Sequence, residues 1–328
     1  MGSNLAVIID TDVGIDDAAA IWWALDCPEI DVVAIATVWG NVTLREATAN
    51  ACRVLHAHGQ IVPVAEGEAK PIANAPYLRR ADFIHGFDGL GDVGIPGAPF
   101  GAGDEPAVAL LRRIVDERPG EITLVTLGPL TNIATAVMQD PTWARRVGSL
   151  VVMGGAISAA GNAQPAAEAN IAHDPEAASI VVSAAWPTPP LLVGLDVTHR
   201  ATMTDDEFAV IDAKANPAAA FLAGPLAYYR RFGGTFCPPG EMPCHDLVAM
   251  MGSVIDGLLT TETLPLAVVT TPGPAWGATI ADRRVPFFAR AGDGAEQAIP
   301  DGFHPWRIAL DADVGRFRAE VRHFFGRT

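Results

Sequence analysis

The sequence predicts an α/β fold: a single doubly wound domain, residues 1–328, with a mostly parallel central sheet. Short runs rich in β-branched residues recur along the chain, and they are apolar throughout instead of alternating with polar residues. Strands that are covered by helices on both faces have this pattern. Longer segments with helical spacing lie between these runs. We expect strands at 5–10, 32–37, 122–127, 149–154 and 190–195.

The intervening segments predict helices at 16–25, 44–59, 105–118 and 174–185, and residues 304–326 predict one more strand followed by a closing helix. Two segments, at about 70–103 and about 224–245, break this pattern. Both are rich in Gly and Pro and contain aromatic and His residues, which is typical of loops that close over an active site. Ligands of such sheets bind outside the carboxyl ends of the strands, so the residues directly after each strand are the first candidates for a site.

The composition excludes several classes of protein. Hydrophobic residues make up 50% of the chain and charged residues 18%, which excludes a disordered chain. The net charge of −16, from 38 acidic and 22 basic residues, would repel a phosphate backbone, so nucleic acid is not an expected partner. No apolar run approaches 18 residues and the N-terminus lacks the pattern of a signal peptide, so we expect no membrane span and a cytoplasmic location.

The cysteines do not predict a disulfide framework or a zinc site. None of the four shows Cys-x-x-Cys spacing. Cys237 and Cys244 flank the segment PPGEMP and could approach each other, but cytosolic thiols stay reduced, so we expect no functional disulfide.

Four aspartates are crowded into eight positions directly after the first predicted strand: Asp10, Asp12, Asp16 and Asp17. Carboxylates this close repel one another unless positive charge lies nearby. One aspartate as a helix N-cap and another as a turn residue would explain only two of the four. A hard cation with oxygen ligands explains all of them better, and a cation beside a carboxylate base favours hydrolysis.

An Asp-x-Asp pair after a strand also resembles the haloacid-dehalogenase phosphatases, whose first Asp is a nucleophile and whose third motif supplies a Lys. The two lysines of this chain are Lys70, in an irregular segment, and Lys214, in a polar stretch without a matching strand. A phosphatase is therefore the weaker alternative.

Taken with further segments, the aspartate cluster resembles the Ca²⁺-dependent nucleoside hydrolases, the inosine–uridine-preferring nucleoside N-ribohydrolase family. The matching segments follow the order of the family along nearly the whole chain: DTDVGIDDA, TVWGN (37–41), HGFDGLG (85–91), LGPLTNIA (127–134), VMGGA (152–156), AEANIAHDPEAA (167–178), HD (245–246) and WGATIAD (276–282). The resemblance implies a Rossmann-like nucleoside hydrolase fold and cleavage of inosine-, uridine- or cytidine-type ribonucleosides to ribose and free base. It also implies Ca²⁺ as cofactor, a small-molecule ribonucleoside as partner, and a homodimer or homotetramer.

The resemblance implies a role for each polar residue of these segments. Calcium would be held by Asp12, Asp17, the backbone carbonyl of Leu127 and Asp246, and Asp12 would be the base that takes a proton from the calcium-bound water. The ribose would be bound by Asp16, Asn41, Asn162, Glu168 and Asn170, with Met153 packing under its ring. Asp10 would support the loop without contacting the ion. A catalytically silent nucleoside- or sugar-binding relative is the alternative, but it would not need the base or a second His.

His85 and His245 are the candidates for protonating the leaving base. In the family, a His beside the last metal-binding Asp marks the inosine–uridine- and pyrimidine-preferring members, whereas purine-specific members have Trp there. The His245–Asp246 pair therefore argues against strict purine specificity. We interpret His56, His58, His199 and His323 as surface or packing residues.

Two positions depart from the family pattern. Val13 stands where many members have Pro, although Gly14 keeps the turn feasible. Trp39 stands where a small residue is usual, and it would either stack on the base or belong to the core. The aromatic residues Tyr228, Tyr229 and Phe232 precede the second loop and would either close over the base or serve the core.

Overall fold

The computed structural model describes residues 4–73, 80–233, 235, 237–284 and 300–327. The strands of these residues are β1 (Leu5–Thr11), β2 (Ile30–Thr37), β3 (Val64–Glu66), β4 (Ile122–Thr126), β5 (Ser149–Met153), β6 (Leu191–Val193), β7 (Thr202–Met203), β8 (Met242–Pro243), β9 (Leu259–Val268), β10 (Thr279–Ala281) and β11 (His304–Ala312).

The helices are α1 (Ile15–Asp26), α2 (Leu44–His58), α3 (Asp82–His85), α4 (Ala107–Glu117), α5 (Thr131–Gln139), α6 (Ala169–His173), α7 (Pro175–Ser183), α8 (Leu195–Thr198), α9 (Asp205–Asp212), α10 (Pro217–Tyr229), α11 (His245–Gly252) and α12 (Val314–Gly326). Short 3₁₀ turns cover Trp143–Arg146 and Arg230–Phe232.

Within the described residues, nine strands form one sheet in the order β10-β9-β11-β6-β5-β4-β1-β2-β3. The pairs from β3 across to β11 are parallel, whereas β9 pairs antiparallel with both β11 and β10. The chain leaves β1 on one side to form β2 and β3 and returns on the other side as β4. The strand order therefore reverses between β1 and β4, and a crevice for ligands is expected at their carboxyl ends.

The central strands bury both of their faces. In β1, Val7 and Ile9 belong to one hydrophobic cluster, while Ala6 and Ile8 belong to another on the opposite side of the sheet. This alternation is the two-residue period of a strand, and it explains why the run is apolar throughout. Helices cover both faces, so the α/β class and the mostly parallel sheet predicted from the sequence are confirmed.

The predicted elements agree with the structure to within a few residues, with one correction. The second loop was predicted to begin at about residue 224, but α10 continues to Tyr229. Gly224 and Pro225 both disfavour a helix, yet Leu222, Leu226 and Tyr229 are buried on one side of it, and this packing outweighs the missing Pro225 N–H. The first loop contains the short helix α3, and residues 74–79 of that loop lie outside the described part of the chain.

Two further sequence expectations bear on the described residues. No helix among them is long and apolar enough to cross a membrane. Cys237 and Cys244 are thiols: Cys237 donates to the carbonyl of Glu241 at 2.9 Å, and Cys244 is buried.

Candidate active site

The aspartate cluster is built where β1 ends and α1 begins. Asp12 follows the last residue of β1, and Asp16 and Asp17 lie in the first turn of α1. Asp17 accepts hydrogen bonds from the Gly14 N–H at 2.8 Å and from the Thr11 hydroxyl. These two bonds tie the start of the helix to the end of the strand, so the carboxylate of Asp17 has a fixed position.

Val13 and Gly14 shape the turn that carries these aspartates. Val13 has a φ of 25°, a left-handed conformation that proline cannot adopt because its ring fixes φ near about −65°. A Cβ on Gly14 would lie 2.6 Å from Nδ1 of His85 and 3.1 Å from Nδ2 of Asn41. Gly14 therefore allows two predicted site residues to approach the backbone of the turn.

Asp12 is bound by the segment that follows β2. Its Oδ2 accepts the backbone N–H of Asn41 at 2.6 Å, and its Oδ1 accepts the Asn41 side-chain amide at 3.2 Å. A Cβ on Gly40 would lie 2.0 Å from Asp12 Oδ2, so only glycine permits this approach. The TVWGN segment thus positions the predicted base.

Asp246 joins the cluster from α11, whose first residues are His245 and Asp246. Oxygen atoms of Asp16, Asp17 and Asp246 lie within 4.8 Å of one another, close enough to share one cation. Asp12 is outside this group of three, and both of its oxygens accept hydrogen bonds from Asn41. The structure therefore brings Asp16, predicted for the sugar, as near to a common ion as the predicted ligands Asp17 and Asp246.

All four carboxylates of this site are buried, and burial is the main reason why their pKa values are raised. The pKa of Asp17 rises to about 6, and the charges of Asp16 and Asp17 raise the pKa of Asp246 further. Among the described residues, no Lys or Arg forms an ion pair with any of the four. A buried, oxygen-only and negatively charged donor set of this kind fits a hard divalent cation.

Asp10 lies outside the cation group. Its Oδ2 accepts the amide of Asn132 at 2.8 Å, while its buried Oδ1 has no hydrogen-bond partner among the described residues. Burial raises its pKa to about 7. Asn132 also donates to the carbonyl of Thr37 and accepts the N–H of Glu68, so Asp10 is part of a connection between three strand ends.

The predicted sugar residues line a cavity of about 310 Å³. Glu168 caps α6 by accepting the N–H groups of Asn170 and Ile171, and it also accepts the N–H of Gly155. The Asn170 amide donates to the carbonyls of Leu127 and Met153 at 2.8 and 3.2 Å. Asn162 accepts the N–H of Ala169 at 2.9 Å.

Most of the predicted site residues line the cavity, and two lie behind its wall. It is lined by Asp16, Asn41, His85, Leu127, Met153, Asn162, Glu168, Asn170, His245 and Asp246, and by Tyr229 and Phe232 among the aromatic residues. Asp12 and Asp17 are fully buried beneath this surface. Lys70 and Lys214 do not line the cavity, so the lysine that a phosphatase mechanism needs is not found there.

Both predicted acid histidines are held in the cavity wall as neutral groups. Nδ1 of His85 accepts the N–H of Ile15 at 3.1 Å, which leaves the ring proton on Nε2, and the ring stacks on Tyr229 with 5.3 Å between centroids. Burial lowers the pKa of His85 to about 3 and that of His245 to about 4. His245 shares a 2.8 Å hydrogen bond with Thr198, and its ring lies 5.5 Å from that of His199. His199, which we interpreted as a packing residue, thus supports His245.

Sequence reasoning left the roles of two aromatic residues open and missed a further His. Trp39 does not line the cavity: it packs behind the wall, 4% exposed, and donates to the Thr131 hydroxyl at 3.2 Å. Tyr229 lines the cavity, and its side chain lowers the pKa of Asp16 against the effect of burial. His173 lines the cavity but was not predicted. The available signal was its spacing, three residues after Asn170 on a helix.

Comparisons with known proteins point to one family. Residues 7–319 match the model of the family described as inosine-uridine preferring nucleoside hydrolase. A probable uridine nucleosidase 1 from Oryza sativa subsp. japonica is 41% identical over 328 residues, 98% of each chain. A non-specific ribonucleoside hydrolase from Salmonella schwarzengrund is 35% identical over 99% of each chain. The solved structure of a plant nucleoside hydrolase superposes with a TM-score of 0.90 at 34% identity, covering 98% of this chain and 99% of its own.

Proposed function

This chain belongs to the inosine-uridine preferring nucleoside hydrolase family, and we propose that it hydrolyses ribonucleosides to ribose and a free base with Ca²⁺ as its cofactor. Its class, a hydrolase of N-glycosyl compounds, is that of its named relatives. One observation supports the calcium-dependent activity above all. Buried carboxylates without a basic partner among the described residues lie directly against a cavity that is lined by three asparagine amides and two neutral histidines.

The ion would be held by Asp12, Asp17, Asp246 and the carbonyl oxygen of Leu127. The donor set supports this assignment because it consists of oxygens alone, which Ca²⁺ prefers, and because the raised pKa values show how unfavourable the carboxylates are without positive charge. Asp16 lies near the same point and also faces the cavity, so it is the carboxylate placed to reach a ribose hydroxyl. When bound, Ca²⁺ would orient the attacking water and the vicinal hydroxyls and lower the pKa of that water.

The residues of the chain would then carry the protons. Asp12 takes one proton from water as the water oxygen bonds to C1′, and the C1′–N bond breaks with its electron pair going to the base. The second proton of the water stays on the new anomeric hydroxyl. Positive charge develops on the sugar in such reactions, and the surrounding carboxylates Asp12, Asp16 and Asp17 stabilise it.

The leaving base would lie beside the two histidines and the aromatic residues that line the cavity. His85 is neutral and has its proton on Nε2, so it can donate a hydrogen bond to the nitrogen of the departing base, which leaves as an anion. His245 is the second candidate, and the Thr198 hydroxyl fixes the orientation of its ring. Either group would make the base a better leaving group.

The substrate range is proposed to include uridine and other ribonucleosides and not to be restricted to purines. The His245–Asp246 pair supports this proposal, as do relatives named uridine nucleosidase and non-specific ribonucleoside hydrolase. The cytoplasmic location and the homodimer or homotetramer expected from the sequence stay predictions.

The test is to incubate the protein with inosine, uridine, cytidine, adenosine and thymidine and to measure released reducing sugar, with and without a calcium chelator. We expect release from uridine and inosine, little from the 2′-deoxy substrate thymidine, and loss of activity with chelator that added Ca²⁺ restores. No release from any ribonucleoside would contradict the hydrolase proposal and favour a silent binding relative. Release that chelation does not affect would contradict the calcium mechanism.

A further inference from the structure

His173 is a cavity residue with an unused hydrogen-bonding atom. It lines the cavity, it is 6% exposed, and its Nδ1 lies 2.6 Å from the carbonyl oxygen of Ala169. A carbonyl only accepts, so Nδ1 carries the ring proton. Burial lowers the pKa of His173, which keeps the ring neutral. Nε2 is therefore an acceptor, and it is buried without a hydrogen-bond partner in the part of the chain that the structure describes.

The residues behind His173 hold its ring in place. Trp39 packs against it edge to face, with 5.3 Å between ring centroids, and donates its indole N–H to the Thr131 hydroxyl. Thr131 in turn donates to Asp174 at 2.8 Å, and Asp174 also accepts the N–H groups of Ile72 and Ala177. A ring fixed by this network loses little freedom when a ligand binds to it.

His173 shares its helix with Asn170, one of the proposed ribose-binding residues. It follows Asn170 by three residues on α6, which places the two side chains on the same face of the helix. Asn170 contacts the carbonyls of Leu127 and Met153, which line the cavity near the proposed ion. A buried acceptor without a partner is unfavourable, and a ligand that brings a donor removes that penalty.

We propose that His173 Nε2 accepts a hydrogen bond from the bound nucleoside and thereby contributes to substrate selection. The inference rests on the proposed function. The contact requires a hydrogen-bond donor on the ligand. Besides the hydroxyls nearest the carboxylates, a ribonucleoside offers two such donors, the 5′-hydroxyl of the sugar and a ring N–H of the base. His173 is a binding residue in this proposal and transfers no proton.

Two variants separate this contact from the structural bond to Ala169. His173→Asn keeps a donor near the position of Nδ1 but has no atom in place of Nε2. His173→Gln places its amide near Nε2 and gives up the Nδ1 donor. The proposal predicts that kcat/KM for uridine falls about tenfold in the Asn variant and less in the Gln variant. A purely structural role predicts the opposite order, and that order would overturn the proposal.

Substrate analogues identify the donor. The activities of wild type and both variants are measured with three compounds. Uridine has both donors, 5′-deoxyuridine lacks the 5′-hydroxyl, and 3-methyluridine lacks the N3–H. If His173→Asn lowers kcat/KM for uridine and 3-methyluridine but not for 5′-deoxyuridine, the contact is to the sugar. If it lowers kcat/KM for uridine and 5′-deoxyuridine but not for 3-methyluridine, the contact is to the base. An equal effect on all three compounds, or no effect on any, would overturn the proposal.

The binding of the same compounds is measured by NMR titration, which reports on His173 whether or not the glycosidic bond is cleaved. A wild type that hydrolyses nothing would contradict the proposed function. The binding constants would then still decide the inference, because the Asn variant should bind uridine about tenfold more weakly. Equal binding by wild type and the Asn variant would overturn it.

Discussion

The residues in and around the cavity form two groups, which we name the carboxylate end and the aromatic end, and these are built in different ways. At the carboxylate end, Asp12, Asp16, Asp17 and Asp246 come from a strand end and from the first turns of α1 and α11, and all are nearly fully buried. At the aromatic end, Phe83, Phe232 and Met242 come from a four-residue helix, a 3₁₀ turn and a two-residue strand.

This difference separates the chemistry from the contacts to the base. Asp17 accepts the backbone N–H of Gly14, and Asp12 accepts that of Asn41. The positions of these two carboxylates therefore depend on the central sheet. Phe83 is 45% exposed, and Phe232 contacts it edge to face at 6.1 Å. Changes at the carboxylate end should therefore act on kcat and metal binding, whereas changes at the aromatic end should act mainly on KM.

The largest effect is expected from Asp12→Asn. A general base contributes about 10²- to 10⁴-fold, so kcat for uridine should fall by about 10³-fold. The fold should survive, because Asn keeps an oxygen for the Asn41 N–H and removes one of four repelling charges. Released ribose measures the first effect, and thermal unfolding in chelator measures the second.

The matched control for this variant is Asp206→Asn, which changes the net charge equally at an exposed position. It should leave kcat and the unfolding temperature unchanged. If Asp12→Asn kept more than about a tenth of the wild-type rate, the base would be another residue.

The second effect concerns the ion itself. Ca²⁺ at 100 times its Kd stabilises a folded protein by about 2.7 kcal/mol, so adding it to chelated wild type should raise the unfolding temperature by a few degrees, on the order of 5 °C. Asp246→Asn should remove most of this shift and lower activity about a hundredfold, because one of the proposed ligands loses its charge.

The unfolding temperatures of wild type, Asp246→Asn and Asp206→Asn are compared with and without Ca²⁺. Asp206→Asn should keep the full shift. An undiminished shift in Asp246→Asn would place the ion away from α11 and contradict the proposed ligand set.

The carboxylate end could be predicted from the sequence because strand ends converge in a parallel sheet. An apolar run followed by DTDVGIDD places charge at the mouth of the sheet, and the order of the strands brings Leu127 to the same edge. The sequence could not show that Asp16 lies close to Asp17 and Asp246, the proposed ligands, while Asp12 is held by Asn41. That depends on side-chain positions set by contacts between distant segments.

The aromatic end could be predicted only in outline. Tyr229 and Phe232 were candidates, but the loop boundary at about 224 missed that α10 carries Tyr229 to its position against His85. Tertiary packing of the apolar face of α10 decided this, and local breakers such as Gly224–Pro225 did not. The spacing of His173 from Asn170 was a signal for its place in the cavity, but a ring nitrogen without a partner among the described residues is a property of the packed structure that the sequence does not show.

The smallest effect is expected at the aromatic end, from Phe232→Ala. Stacking of a base on an aromatic side chain contributes about 1–3 kcal/mol when fully formed, and Phe232 is only partly buried, so KM should rise about fivefold with kcat nearly unchanged. Phe87→Ala is the control, since Phe87 is 72% exposed and does not line the cavity. Inosine has the larger base, so its KM should rise more than that of uridine. A fall in kcat with KM unchanged would mean that Phe232 acts in the transition state, and the separation between the two ends would then be wrong.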